Sequence, residues 1–205
     1  MSVKAHEAYC LDSAQDRLLF YDDFLGDSLR DLWAAAGDAG GGVAVVDTQD
    51  GGVVRITTDG DDDDYKILYW GDIRSLLVSK KVTMEFRLKL TQTTIDDFYF
   101  GLYNSVTQRI GWYASPTNIF IRCRDAGGDA AFDSGIDTDT DYHIYRIECF
   151  PAGEVHFYYD GVETANSPIT TNITALHCQP RFYLRTGEDV TKTMDIDYVW
   201  IRQDR

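Results

Sequence analysis

The sequence predicts an all-β fold, a two-sheet antiparallel sandwich, on two observations. From Val82 to Leu90 the side chains Val82, Met84, Phe86, Leu88 and Leu90 alternate with Thr83, Glu85, Arg87 and Lys89. After the polar break Thr91-Gln-Thr-Thr94, Phe98, Phe100 and Leu102 alternate with Tyr99, Gly101 and Tyr103. A period of two places the apolar set on one face of a strand and the polar set on the other, whereas a helix would scatter both. The second observation is that such runs, roughly a dozen, recur along the chain at about 8–12-residue spacing with turn residues between them. The two runs over 82–103 are expected to be adjacent strands of an antiparallel sheet, one face on the core and the other open to solvent or a ligand.

Taken in order, residues 1–19 lack the strand pattern; a short helix is expected over 5–19, and the whole segment reads as an N-terminal arm preceding a domain over 20–205. Tyr9, Leu11, Leu18 and Leu19 make this arm too apolar for a solvated tail. An isolated helix of that length is marginal in water, so the arm is expected to order against a neighbouring subunit of a symmetric assembly. Phe20 to Phe24 opens the domain, and residues 34–42, small and Gly-rich, read as a loop. Strands over 43–46 and 53–58 flank the turn Gln49-Asp50-Gly51-Gly52. Asp59 to Asp64 is a run of carboxylates interrupted only by Gly60. Clustered oxygens suit calcium, but consecutive side chains cannot all converge on one ion, so we read a solvated turn.

Strands over 65–70, 109–114 and 118–124 follow, then a Gly/Asp-rich loop region over 125–140 with at most one short strand near Phe132. Asp137, Asp139, Asp141 and Glu148 imitate part of an EF-hand, but Tyr142 stands where the sharp turn of that loop needs glycine, and we reject the site. Strands over 142–150 and 154–159 lead to Asp160-Gly161, a type I′ hairpin signal. Strands over 179–185 and 193–202 close the chain.

A chain of 205 residues can form one domain that buries about 70% of its unfolded surface without needing a disulfide or metal. The formal net charge of -15 repels phosphate backbones, and no basic patch stands out in the sequence, so no nucleic-acid partner is expected. Cys10, Cys123, Cys149 and Cys178 form no C-x-x-C pair and read as free, mostly buried thiols. The first ten residues contain no apolar h-region, and no run approaches the ~20 residues of a membrane span. Folding in a reducing cytoplasm, without membrane insertion and without a cofactor, is the expectation.

The order of these elements resembles a known superfamily. Tyr21-Asp-Asp-Phe24 with Trp33, Val53-Val-Arg-Ile-Thr57, Phe98-Tyr-Phe-Gly-Leu102, Val155 to Gly161 and Met194-Asp-Ile-Asp-Tyr-Val-Trp-Ile201 together resemble the concanavalin A-like lectin/glucanase jelly roll from about Phe20 to the C-terminus. The arm and the ending Asp197-Tyr-Val-Trp-Ile-Arg-Gln-Asp-Arg205 resemble bacteriophage virion structural proteins. That resemblance implies a non-enzymatic capsid decoration or head/tail surface protein on the virion, folded in the host cytoplasm, with other capsid or tail subunits as partners and a trimer as the expected homo-oligomer.

Two alternatives remain. In a carbohydrate-binding module, Tyr99, Tyr103 or Trp112 on an open sheet face would stack against the sugar rings of a cell-surface glycan. In a polysaccharide-degrading enzyme, the resemblance implies either paired carboxylates in a Glu-x-Asp-x-(x)-Glu strand motif or a Tyr/His/Arg/Gln set on the concave face. No glutamate pair has that spacing, and Asp195 and Asp197 are the closest acidic substitute. His143 and His156 lie in strand runs, where a structural role is the commoner one, so no catalytic residue is assigned.

Overall fold

The computed structural model describes residues 17–46, 52–71, 73–91, 97–115 and 117–204, and everything below concerns these. In chain order the strands are β1 (Arg17–Asp22), β2 (Ala34–Gly37), β3 (Gly42–Val45), β4 (Val54–Thr57), β5 (Tyr65–Tyr69), β6 (Leu76–Leu77), β7 (Val82–Leu90) and β8 (Asp97–Ser105). They continue as β9 (Gln108–Ser115), β10 (Asn118–Asp125), β11 (Gly128–Asp137), β12 (His143–Phe150), β13 (Glu154–Tyr159), β14 (Val162–Glu163), β15 (His177–Arg185) and β16 (Thr193–Asp204). No helix occurs among the described residues. The first sheet has the order β14-β13-β12-β7-β16-β4-β3, with β1 also on β16; the second has the order β11-β10-β9-β8-β15-β5-β2, with β6 on β15. Every named pairing is antiparallel, so the expected two-sheet sandwich is what the chain forms.

The alternation over 82–103 does set the core, but not by the expected pairing. β7 and β8 are not neighbours: β7 lies between β12 and β16 in the first sheet, and β8 between β9 and β15 in the second. The two strands lie in different sheets, and their apolar faces meet across the sandwich. Phe86 of β7 meets Phe100 of β8 edge to face, ring centroids 5.2 Å apart. Met84, Phe86, Leu88, Phe98, Phe100, Leu102, Ile147 and Phe157, all expected in the core, are fully buried. Tyr145 and Trp112 complete the aromatic centre, at 4.8 Å from Phe100 and 5.4 Å from Phe157 respectively.

Four further expectations change. β1 begins at Arg17 and pairs with β16 through Leu18↔Gln203 and Leu19↔Arg202, so Leu18 and Leu19 lie in a strand of the first sheet where a short helix was expected. Arg17 sits opposite Asp204. Tyr9, Leu11 and Cys10 fall outside the described residues. Residues 34–37 of the expected Gly-rich loop form β2, whose small side chains pair with β5 at the sheet edge. Residues 128–137 form a ten-residue strand, β11, in place of a loop. The Asp59–Asp64 run is not simply solvated: Asp64 is buried, receives the Asp59 N–H at 2.8 Å and pairs with buried Lys66 at 3.1 Å, while Asp63 pairs with Arg185.

The hairpin reading at Asp160-Gly161 holds, with both residues at positive φ (47° and 80°) and Tyr159 opposite Val162. Cys123, Cys149 and Cys178 are free and buried, and burial pushes all three thiols above their ordinary values. Inert core thiols result.

Candidate functional site

Strand alternation gives each sheet a second, outward face, and on the second sheet that face has an unusual chemistry. On β15, Cys178, Phe182 and Leu184 are buried, which turns His177, Gln179, Arg181, Tyr183 and Arg185 outward. The same alternation turns out Asp97, Tyr99, Gly101 and Tyr103 on β8, and Arg109, Gly111 and Tyr113 on β9. On β10 it turns out Phe120, Arg122 and Arg124.

Register lines these residues up in rows across the strands. One row runs Gln179, Tyr103, Arg109, Arg124, Asp129. The next runs Tyr69, Arg181, Gly101, Gly111, Arg122. A third is aromatic, with Tyr183, Tyr99, Tyr113 and Phe120 flanked by Ile67 and Asp133. A fourth pairs Tyr65, Arg185 and Asp97.

The middle of the face is shaped by the facing glycines Gly101 and Gly111. A Cβ on Gly111 would lie 2.5 Å from the Phe100 carbonyl oxygen and 2.8 Å from Cε2 of Tyr99. The Tyr99 ring therefore lies along the sheet over this pair, and its hydroxyl donates toward the Leu102 (2.7 Å) and Ile110 (3.0 Å) carbonyl oxygens. Only 2% of Tyr99 is exposed, and burial raises its hydroxyl well above the ordinary value. Around this floor the aromatic rings and guanidinium groups interleave. Arg109 lies 5.3 Å from the Tyr99 centroid, Arg122 4.6 Å from Tyr113 and Arg181 3.9 Å from Tyr103.

The arginines differ in their partners. Arg122 is held bidentately by Asp129 at 2.8 and 2.5 Å, with Arg124 3.7 Å from the same carboxylate, and Arg185 is held by Asp63. Arg109 and Arg181 pair with no described carboxylate, and the Arg109 Nε is buried without an acceptor. Burial draws the Arg109 guanidinium down from its ordinary value. Gln179 is 3% exposed, and its Oε1 is buried without a donor. Burial raises the Asp97 carboxyl, against the opposing pull of Arg109, Arg185 and Arg122. Beyond Arg124 a groove of about 360 Å³ opens between Thr107 and the Asp125–Asp129 turn.

The Arg122 guanidinium holds the Asp129 carboxyl below its ordinary value. A depressed folded-state value means that the pair contributes stability above the unfolded carboxylate pKa and loses it as pH falls through the folded one, below about pH 4. Replacing Asp129 with Asn is expected to flatten the acid limb of a stability–pH curve by less than about 1 kcal/mol, because the pair is partly solvated. Urea midpoints measured from pH 2 to 6 check this.

Of the residues expected to stack on a sugar, Tyr103 lies half-buried on this face, with Arg181 over one side of its ring. Tyr99 is on the face but lies flat within its floor, and Trp112 is fully buried in the core beside Tyr145 and Phe157, so neither offers a free ring. The alternation of Ile110, Trp112 and Ala114 in the sequence was sufficient to turn Trp112 inward. Asp195 and Asp197 are on the first sheet instead. Asp195 is fully buried, gripped by Arg55 at 2.6 and 2.8 Å with Lys89 at 3.7 Å, and Asp197 pairs with Arg87 at 2.5 Å. His143 is bound by Asp160 and Asp139, and His156 by Glu163, on the same first sheet. Among the described residues no group of three or more His, Cys, Asp and Glu is placed to hold a metal ion. Sequence reasoning missed Arg109, Arg181 and Gln179. The signal for Gln179 and Arg181 was the alternation along 179–185, and for Arg109 that along 109–113, each of which reads equally well as an ordinary solvent face.

No family model matches the chain, and no curated protein matches it by sequence. Solved structures do match in fold. The cellulose-induced protein Cip1 aligns with a TM-score of 0.66 at 9% identity, over 89% of this chain and 96% of that one. A structure from work on endo-acting O-glycanases of human gut bacteria that initiate mucin breakdown aligns with a TM-score of 0.63 at 17% identity, over 89% and 97%. A carbohydrate esterase of the Shiga toxin-encoding bacteriophage phi24B aligns with a TM-score of 0.56 at 14% identity, over 84% and 90%. At these identities the likeness is one of fold: this chain is a lectin-like jelly-roll sandwich.

Proposed function

We propose that the chain is a non-catalytic saccharide-binding jelly roll carried on the surface of a virion. One observation carries the binding part, the outward face of the second sheet, where aromatic rings and arginines interleave around a glycine floor. Sugar rings present apolar C–H faces to aromatic planes and hydroxyl groups to polar side chains, and Tyr103, Tyr113 and Phe120 supply the planes here. The virion part rests on the resemblance of the chain's opening and ending to phage structural proteins, and fold likeness to a phage esterase is compatible with it. The absence of turnover is supported by the charge saturation of Asp195, the only fully buried carboxylate of the closest acidic pair.

Binding of the full chain to an immobilised glycan array tests the reading. Tyr103→Ala is expected to weaken retained glycans roughly tenfold, the size of one lost aromatic contact, and incubation with polysaccharides is expected to release no new chain ends. Unsaturated chain ends that appear with the intact chain and vanish in His177→Ala would replace this reading with a lyase. Equal glycan retention by Tyr103→Ala would remove the face from it.

A further inference from the structure

The chain carries a formal charge of -15, yet Arg109, Arg122, Arg124, Arg181 and Arg185 gather on one face of one sheet, where they outnumber Asp97, Asp129 and Asp133. Surface arginines in an acidic protein normally find carboxylates, and Arg122 and Arg185 have done so. Arg109 and Arg181 have not. Both are packed against tyrosine rings, and Arg109 is partly desolvated with a buried Nε that has no acceptor. Arg109 feels the Asp97 charge but has no carboxylate in ion-pair contact, and a partly desolvated guanidinium with an unmet N–H is a costly arrangement in the free protein. An incoming anion removes that cost and gains charge-assisted hydrogen bonds.

We propose that this face selects saccharides bearing an anionic substituent, a carboxylate or a sulfate, seated across Arg109 and Arg181. The proposal rests on the saccharide-binding reading above and adds the ligand class. The two arginines are separated by β8, which lies between β9 and β15, so their backbones stand about 10 Å apart across the sheet. Between them the Tyr99 ring covers the Gly101–Gly111 pair and forms a low floor instead of a projecting side chain, and Tyr103 borders it. Gln179 Oε1, buried and without a donor in the same row as Tyr103 and Arg109, is suited to accept from a sugar hydroxyl once the face adjusts to its ligand. A polynucleotide is the less suitable anion, because the remainder of the surface repels a long phosphate backbone.

The test uses the full chain and four probes in calorimetry or fluorescence titration: an oligogalacturonate, a sulfated dextran oligosaccharide, neutral maltohexaose and a single-stranded DNA oligonucleotide. Support is binding of one or both anionic sugars at least tenfold tighter than maltohexaose and weakened by added salt. Arg181→Gln and, separately, Arg109→Gln should each lower that affinity roughly tenfold. The carboxylated and sulfated arms identify which substituent is preferred. Arg109 is partly buried, so folding of its variant is checked by thermal melting, and Arg181→Gln, on a more open side chain, carries the test if Arg109→Gln does not fold. Equal affinity for maltohexaose would overturn the anionic class while leaving saccharide binding in place. Anionic binding unaffected by Arg181→Gln but lost in Arg55→Gln, on the other sheet, would overturn the location. Tighter binding of the DNA than of either sugar would overturn the ligand class, and binding of no probe would remove both readings together.

Discussion

Phe100→Ala is expected to lower the unfolding free energy by about 3–5 kcal/mol. The ring is fully buried at the centre of β8. It stacks on Phe98 at 4.9 Å, meets Phe86 edge on at 5.2 Å and Tyr145 at 4.8 Å. Those contacts come from both sheets and from three other strand positions, so truncation leaves a cavity that no single neighbour can fill by changing rotamer. Stabilities of domains are commonly only about 5–15 kcal/mol, so this one change removes a large share. Urea unfolding should show a lower midpoint with an unchanged slope. A companion change at an exposed site, Val162→Ala, is expected to move stability by no more than about 0.5 kcal/mol. A Phe100→Ala protein as stable as the parent would mean that the two sheets do not meet at this ring.

Gly111→Ala is the second large effect, and it acts on the candidate site as well as on the fold. The added methyl cannot be placed without moving the Phe100 carbonyl or the Tyr99 ring, which would lie 2.5 and 2.8 Å away. Gly101→Ala meets the Ile110 carbonyl oxygen at 2.4 Å and the Gly111 Cα at 2.6 Å, from a φ of +153°. Overpacking of this kind costs about 1–3 kcal/mol, and each Tyr99 hydrogen bond broken as the ring lifts adds about 1 kcal/mol. The two glycines face each other, so the double variant is expected to lose less than the sum of the single ones. Near-ultraviolet circular dichroism should report the displaced tyrosine, and glycan affinity should fall with it. Unchanged stability and an unchanged tyrosine signal in Gly111→Ala would show that the ring does not lie over this glycine.

The core was legible because each strand through it keeps a strict period of two, and a one-residue slip would expose Phe86 or Phe100. Pairing was not legible, since the alternation of β7 and β8 says which side chains are buried and nothing about which strand lies alongside. β11 was hidden for a different reason. Gly128-Asp-Ala-Ala-Phe-Asp-Ser-Gly135 has the composition of a turn, but as the edge partner of β10 it needs one covered face only, supplied by Ala130 and Ser134. Its Asp129 is not a loop residue but the bidentate partner of Arg122.

In the candidate site, the outward direction of Tyr99 and Tyr103 was legible from parity. That Tyr99 lies down on its own sheet was not, because the space it fills is created by glycines on two strands, and their register is a property of the folded sheet. The gathering of Arg109 and Arg181 is hidden for the same reason. They are 72 positions apart, and only the placement of β8 between their strands makes them neighbours.

The pairing of β1 with β16 has a consequence for how such a domain can be mounted. Arg17 and Asp204 are cross-strand partners, so the polypeptide enters and leaves the described domain at one point, in the sheet opposite the one that carries Arg109 and Arg181. Ends that lie side by side suit a cassette: such a domain can be set into a longer chain or hung from a scaffold by a short double tether without either connection crossing the opposite sheet.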